Sequence, residues 1–162
     1  MEELEKRMYF FVPYQLTGIQ SGIQCGHAAL EYAIKYWEEP DFIDFRQNWK
    51  TWVILNGGTT NNNPDKLGSL NDIYYQLVIN NINCEVFYEP DLGDQMTAIC
   101  FICDERVFNK EKYPDFDEQE IPNIIFSNDV DFKSYYYDEW LEFIDGEKNL
   151  FLRELLKGKK LA

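Results

Sequence analysis

Apolar positions along this chain fall into two rhythms, short runs and helical spacing. Tyr9-Phe-Phe-Val12 is a compact apolar run closed by Pro13, which has no amide proton to give a neighbouring strand. Ile23, Ala28, Ala29, Tyr32, Ala33, Tyr36 and Trp37 then recur at helical spacing and predict a helix from about Ser21 to Trp37. Pro40 opens a short helical piece with Phe42, Phe45 and Trp49 on one side. Thr51-Trp-Val-Ile-Leu55 reads as a second strand. A loop follows, with Gly57-Gly58, Asn61-Asn62-Asn63, Pro64 and Gly68. Ser69, with Asp72 three residues on, predicts a capped helix start, and Leu70, Ile73, Tyr74, Leu77 and Val78 form that helix's apolar stripe. Cys84-Glu-Val-Phe-Tyr88 reads as a third strand. Met96 to Cys103 reads as a fourth, after a polar loop from Glu89 to Gln95.

Helices that alternate with strands predict an α/β domain over residues 8–105. The expected architecture is a three-layer α/β/α arrangement: a four-stranded mixed sheet with helices on both faces. The last two strands, separated by Pro90 and Gly93, are expected to be antiparallel neighbours. Residues 104–122 are charged and carry Pro114 and Pro122, as a linker or irregular loop does. Beyond them stand Ile124-Ile-Phe126 and an aromatic-rich helical pattern of Phe132, Tyr135, Tyr136, Trp140, Phe143 and Ile144, ended by Gly146. Asn149 to Lys157 predicts one more short helix, with Leu150, Phe151, Leu152, Leu155 and Leu156. Residues 106–162 thus form an acidic, helical C-terminal extension. Leaving its apolar residues in water is costly, so it is expected to pack on the domain or on a partner.

The chain has 162 residues, of which 45% are hydrophobic and 17% aromatic, ample for a core. No apolar run approaches the roughly 20 residues that cross a bilayer. Met1 to Met8 is acidic and polar, unlike a signal peptide, so a cytoplasmic setting is expected. Cys100 and Cys103 form a C-x-x-C, but their segment reads as a buried strand in which residues three apart face opposite ways. With His27 the lone histidine and no second C-x-x-C, neither a metal site nor a cofactor is expected. The net charge is −14. Residues 1–103 hold six Lys or Arg against fourteen acids, so a long phosphate backbone finds little to grip. A small anion remains within reach of a few amides and one or two cations.

The most informative string is Leu16-Thr-Gly-Ile-Gln20-Ser-Gly-Ile-Gln24-Cys-Gly-His27-Ala-Ala-Leu30, which leaves a strand and enters a helix. Such a bend aims backbone N–H groups above the sheet, and the helix dipole adds partial positive charge there. Gln24-Cys25-Gly26-His27-Ala28 resembles the helix opening of the type II peptidyl-tRNA hydrolases, and Glu89-Pro-Asp91-Leu-Gly93 resembles the Asp-containing loop before that family's last strand. The resemblance covers about residues 8–105. It implies a pocket at one end of the sheet where the ester between peptide and tRNA is cleaved. It also points to homodimers. Gln24, His27 and Asp91 are the positions it carries over, with His27 and Asp91 as the catalytic pair if the chain is a hydrolase. Gly18, Gln20, Ser21, Gly22, Gln24, His27, Asp91 and Gly93 would line the ligand.

Departures from the family pattern shape the functional expectation. Gln20 stands where the family has a lysine, Pro13 and Gln15 replace its arginine and aspartate, and its threonine after Asp-x-Gly has no clear counterpart here. A pocket frame without those charges reads first as a binding module that takes or sequesters a small nucleotide-like ligand. An active hydrolase acting on the tRNA acceptor end is the second reading. A protein-interaction component of an assembly is the third.

Overall fold

The computed structural model describes residues 2–120 and 130–162, with the backbone alone for 120 and 130–134. They divide into two compact units, Met1–Asp104 together with Gly158–Ala162, and Glu105–Lys157.

The first unit holds four strands, β1 (Lys6–Pro13), β2 (Thr51–Gly58), β3 (Cys84–Glu89) and β4 (Gln95–Asp104), in the order β2-β1-β4-β3. β1 and β2 are parallel, while β4 runs antiparallel to both β1 and β3. This is the expected mixed sheet. Its two central strands are buried on both faces and therefore read as continuous apolar runs. Alternation along them divides the core. Met8, Phe10, Val12, Ala98 and Cys100 face helix α1 (Gly18–Tyr36) and helix α2 (Pro40–Asp44), where Cys25, Ala28, Tyr32 and Phe42 meet them. Tyr9, Phe11 and Phe101 stack on the other face. Helix α3 (Ser69–Ile79) covers that face, its Leu70 close enough to Gly57 and Phe11 that a side chain at Gly57 would collide with it.

Helix starts differ from the sequence reading at α1, at α3 and at the last helix, which opens at Glu147 rather than Asn149. α1 begins three residues before Ser21, because Thr17 takes the N-cap position and forms a capping box with Gln20. The cap of α3 is Gly68, not Ser69. The expected Ser69–Asp72 capping pair does not form, because the Ser69 hydroxyl turns back to β2. It accepts from Thr59 N at 2.9 Å and donates to Gly57 O at 2.8 Å. Gly68 sits so close to this turn that an added Cβ would stand under 3 Å from Thr59 O and Asn61 N. Gly68→Ala is therefore expected to cost about 1–3 kcal/mol in urea unfolding, since backbone and not a flexible side chain must give way.

After α2 the chain makes one turn of π-helix, Phe45–Trp49, before β2. The last residues return to the sheet. Leu161 bridges to Leu55, Asn56 N donates to Lys160 O at 2.9 Å, and Ala162 N donates to Ile54 O at 3.1 Å. The outer edge of β2 is thus partly covered.

The second unit holds α4 (Glu105–Phe108), α5 (Val130–Phe143) and α6 (Glu147–Leu156). The aromatic-rich helix expected from the sequence is α5. Ile124-Ile-Phe126 lies outside the described residues, as does the side chain of Phe132. Val107, Ile144 and Leu152 are buried, and Tyr113 packs against Phe143 with ring centroids 4.9 Å apart. Arg153 sits at the centre, 2% exposed. Its partner Asp115 is held below the usual carboxylate range by hydrogen bonds from Lys110 and Arg153. A carboxyl whose folded pKa is depressed adds stability above its unfolded pKa and loses it as pH falls through the folded value. The second unit is expected to weaken below about pH 4, with near-ultraviolet circular dichroism as the readout. Asp115→Asn should flatten that part of the acid profile.

Candidate functional site

The bend after β1 and the bend before β4 meet at one end of the sheet. β4 begins where β1 ends, with Phe11 opposite Ile99, and side chains from the two bends touch. Gln24 Nε2 donates to Glu89 Oε2 at 2.7 Å, and Thr97 donates from Oγ1 to Gln24 Oε1. Thr97 reaches Gln24 because the β3–β4 ladder slips: Phe87 opposes Ala98 but Tyr88 opposes Met96, which leaves Thr97 without a counterpart. Such a bulge re-aims a side chain. Asn62, in the loop after β2, donates to Asp94 O at 3.1 Å and joins that loop to the same end.

The polar groups here mostly satisfy one another. Glu89 also accepts from Asp91 N at 3.3 Å, and the Gln24 amide, then this N–H, hold its carboxyl below the usual range. Gln20, expected to face a ligand, spends its side chain on Thr17 N at 3.0 Å, while its own N–H goes to Thr17 Oγ1 at 3.2 Å. Ser21 is buried, and its N–H donates to Thr17 O at 2.8 Å. Gly18 is the first residue of α1, and Gly22 has open space where a side chain would stand. Asp91 is exposed in a one-turn 3-10 helix, Pro90–Leu92, that Gly93 closes at φ 66°. Among the described residues no lysine or arginine forms an ion pair with Glu89, Asp91 or Asp94.

His27 leaves this cluster. Its ring stacks on Phe87, centroids 4.4 Å apart and planes at 25°. It makes no hydrogen bond to Asp91, so the two expected catalytic side chains share an end of the sheet without being coupled. His27 also borders an open cavity of about 630 Å³ on the same face of the sheet as α1. Met8, Ile23, Gly26, Ala29, Leu30, Phe42, Phe45 and Trp52 supply most of its walls, with Arg46 and Lys50 the charged residues.

Sequence reasoning missed Thr97, Glu89 and this cavity. The first two depend on a bulge and a side-chain contact 65 residues apart in sequence. The cavity had a signal, because Arg46, Trp49, Lys50 and Trp52 cluster basic and aromatic residues within an acidic chain.

All four cysteines are free and buried. Burial pushes the Cys25 thiol up to about 12 and the Cys84 thiol to about 11. Cys100 packs towards α1 and its thiol donates to Ala28 O at 3.4 Å, as a residue of a buried strand does. Among the described residues no group of three or more His, Cys, Asp or Glu is placed to hold a metal ion. Among them, too, no helix is long and apolar enough to cross a membrane. Neither a family model nor any curated protein matches this chain.

Proposed function

We propose that this chain is a binding module that takes or sequesters a small nucleotide-like ligand and does not turn it over. One observation carries the reading. The polar end of the sheet is closed on itself, Gln20 in a capping box and Gln24 between Thr97 and Glu89, with acids around it that pair with no cation among the described residues. Acyl transfer needs donors left free for a developing oxyanion. The open space near His27 belongs instead to an apolar cavity, and about 630 Å³ lies within the range of ligand pockets. Free thiols accord with a cytosolic setting. Isothermal titration of the full chain with mononucleotides and cyclic dinucleotides is expected to show one site per chain. A flat response across that panel would remove the proposal.

A second reading stays attached to a specific observation: Gln24, Thr97 and Asp91 lie at one end of the sheet, near a water-accessible edge. An active peptidyl-tRNA hydrolase would cleave peptidyl-tRNA in a turnover assay and lose that activity in Asp91→Ala. Such cleavage would put hydrolysis ahead of binding.

A further inference from the structure

The cavity beside α1 carries an inference that rests on the binding reading and sharpens it. We infer that the ligand is a planar aromatic anion, its ring system lying between Gly26 and Trp52 and its negative group on Arg46 and Lys50. Three features of the cavity support this assignment.

The first is how cations are used. In the first unit Lys6 pairs with Asp44 at 3.1 Å, Arg7 with Glu5 at 2.7 Å and Lys35 with Glu85 at 2.8 Å. Arg46 and Lys50, like Lys66, Lys159 and Lys160, pair with no carboxylate among the described residues, but of these five it is Arg46 and Lys50 that line the cavity. Lys50 Nζ meets only the Gln47 carbonyl at 3.2 Å. Arg46 lays its guanidinium over the Trp37 ring at 4.3 Å, and its buried Nε has no hydrogen-bond partner. A guanidinium steadied on a ring and left without a carboxylate is a ready anion receptor.

The second is the wall. Gly26 has nothing within 4 Å of the place its Cβ would occupy, so α1 presents a flat surface there. Trp52 is 44% exposed and held tilted against Phe10, ring centroids 4.6 Å apart. A bare stretch of helix and an exposed indole suit a flat ring system better than a branched body.

The third is exclusion by charge. A long polyanion spreads its charge over much of the acidic surface and is repelled, while a small anion in the cavity is screened by salt from charges beyond about 10 Å and feels the two cations there most strongly. An uncharged ligand would leave those cations unanswered.

The test uses the full chain, with tryptophan fluorescence and titration calorimetry. Probes are adenosine monophosphate, cyclic di-adenosine monophosphate, uncharged adenosine and decanoate. One of the nucleotides is expected to bind, with adenosine at least ten-fold weaker. Gly26→Leu fills the flat wall while replacing a poor helix former by a good one, so α1 is retained. It is expected to weaken nucleotide binding at least ten-fold, and so is the Arg46→Gln, Lys50→Gln pair. Lys66→Gln, in the loop after β2, controls for net charge and should change little. If no nucleotide binds the parent chain, the binding reading falls and this one with it. If nucleotides bind but both cavity variants match the parent, binding stands and this location is wrong. Tighter binding of decanoate than of any nucleotide overturns the ligand class alone.

Discussion

Replacing Arg153 by Met is expected to destabilise the second unit by about 2–4 kcal/mol, although Met matches the buried stem in length. Arg153 donates from Nη1 to Arg106 O at 2.7 Å and from Nη2 to Tyr113 O at 3.0 Å and Asp115 Oδ1 at 2.7 Å. Its guanidinium also lies 5.6 Å from the centroid of Trp140. Removing it leaves two carbonyl oxygens short of a donor and Asp115 short of a cation. Breaking a fully buried pair typically costs about 3–5 kcal/mol. The lower range applies because the Asp115 side chain is 66% exposed and water screens its share. Urea unfolding of parent and variant, followed by tryptophan emission, measures this. A loss under about 1 kcal/mol would mean that Arg153 is not the centre of this unit.

Phe10→Ala should be comparably severe in the first unit, at about 3–5 kcal/mol. Phe10 is fully buried on central strand β1, opposite Ile54 on one side and Cys100 on the other. The ladders fix the backbone on both sides, so the space closes only as far as neighbouring side chains, Trp52 among them, can repack. Exposed Tyr14, by contrast, should tolerate Ala with little change. Equal effects at the two positions would contradict the packing described for β1.

The layered fold was legible because each buried element has one dominant periodicity. β1 is apolar from Met8 to Val12 and β4 from Met96 to Cys103 but for Thr97, as strands covered on both faces are, and α1 repeats at helical spacing. Capping was less legible. Ser69 followed by Asp72 has the pattern of a cap, but two backbone groups of the β2 turn compete for the Ser69 hydroxyl and win it. Residues 158–162 illustrate the same limit. Nothing in Gly-Lys-Lys-Leu-Ala announces a return to a strand more than a hundred positions earlier.

At the candidate site, the family resemblance implied that the Gln24 and Asp91 segments share one end of the sheet, and a Gln24–Glu89 hydrogen bond joins those segments. The resemblance did not separate His27 from them. Helix phase decides that. Gln24 reaches Glu89 and Thr97, whereas His27, three residues on, stacks its ring on Phe87 of β3 instead. Arg46 and Lys50 escaped notice because basic residues near tryptophans usually serve the surface, and it is their place in the cavity wall, without an ion-pair partner, that marks them out.

The return of Gly158–Ala162 to the rim of β2 makes the second unit a detour in the chain, with both of its ends rooted in the first. Cutting the protein after Asp104 would therefore do more than delete helices. It would strip a row of peptide groups bare along Ile54 to Asn56, a template on which another molecule's backbone can zip up. A shortened chain of that kind is expected to elute from a sizing column as concentration-dependent clusters. Adding the pentapeptide 158–162 back as a fusion through a flexible spacer should return it to a single species.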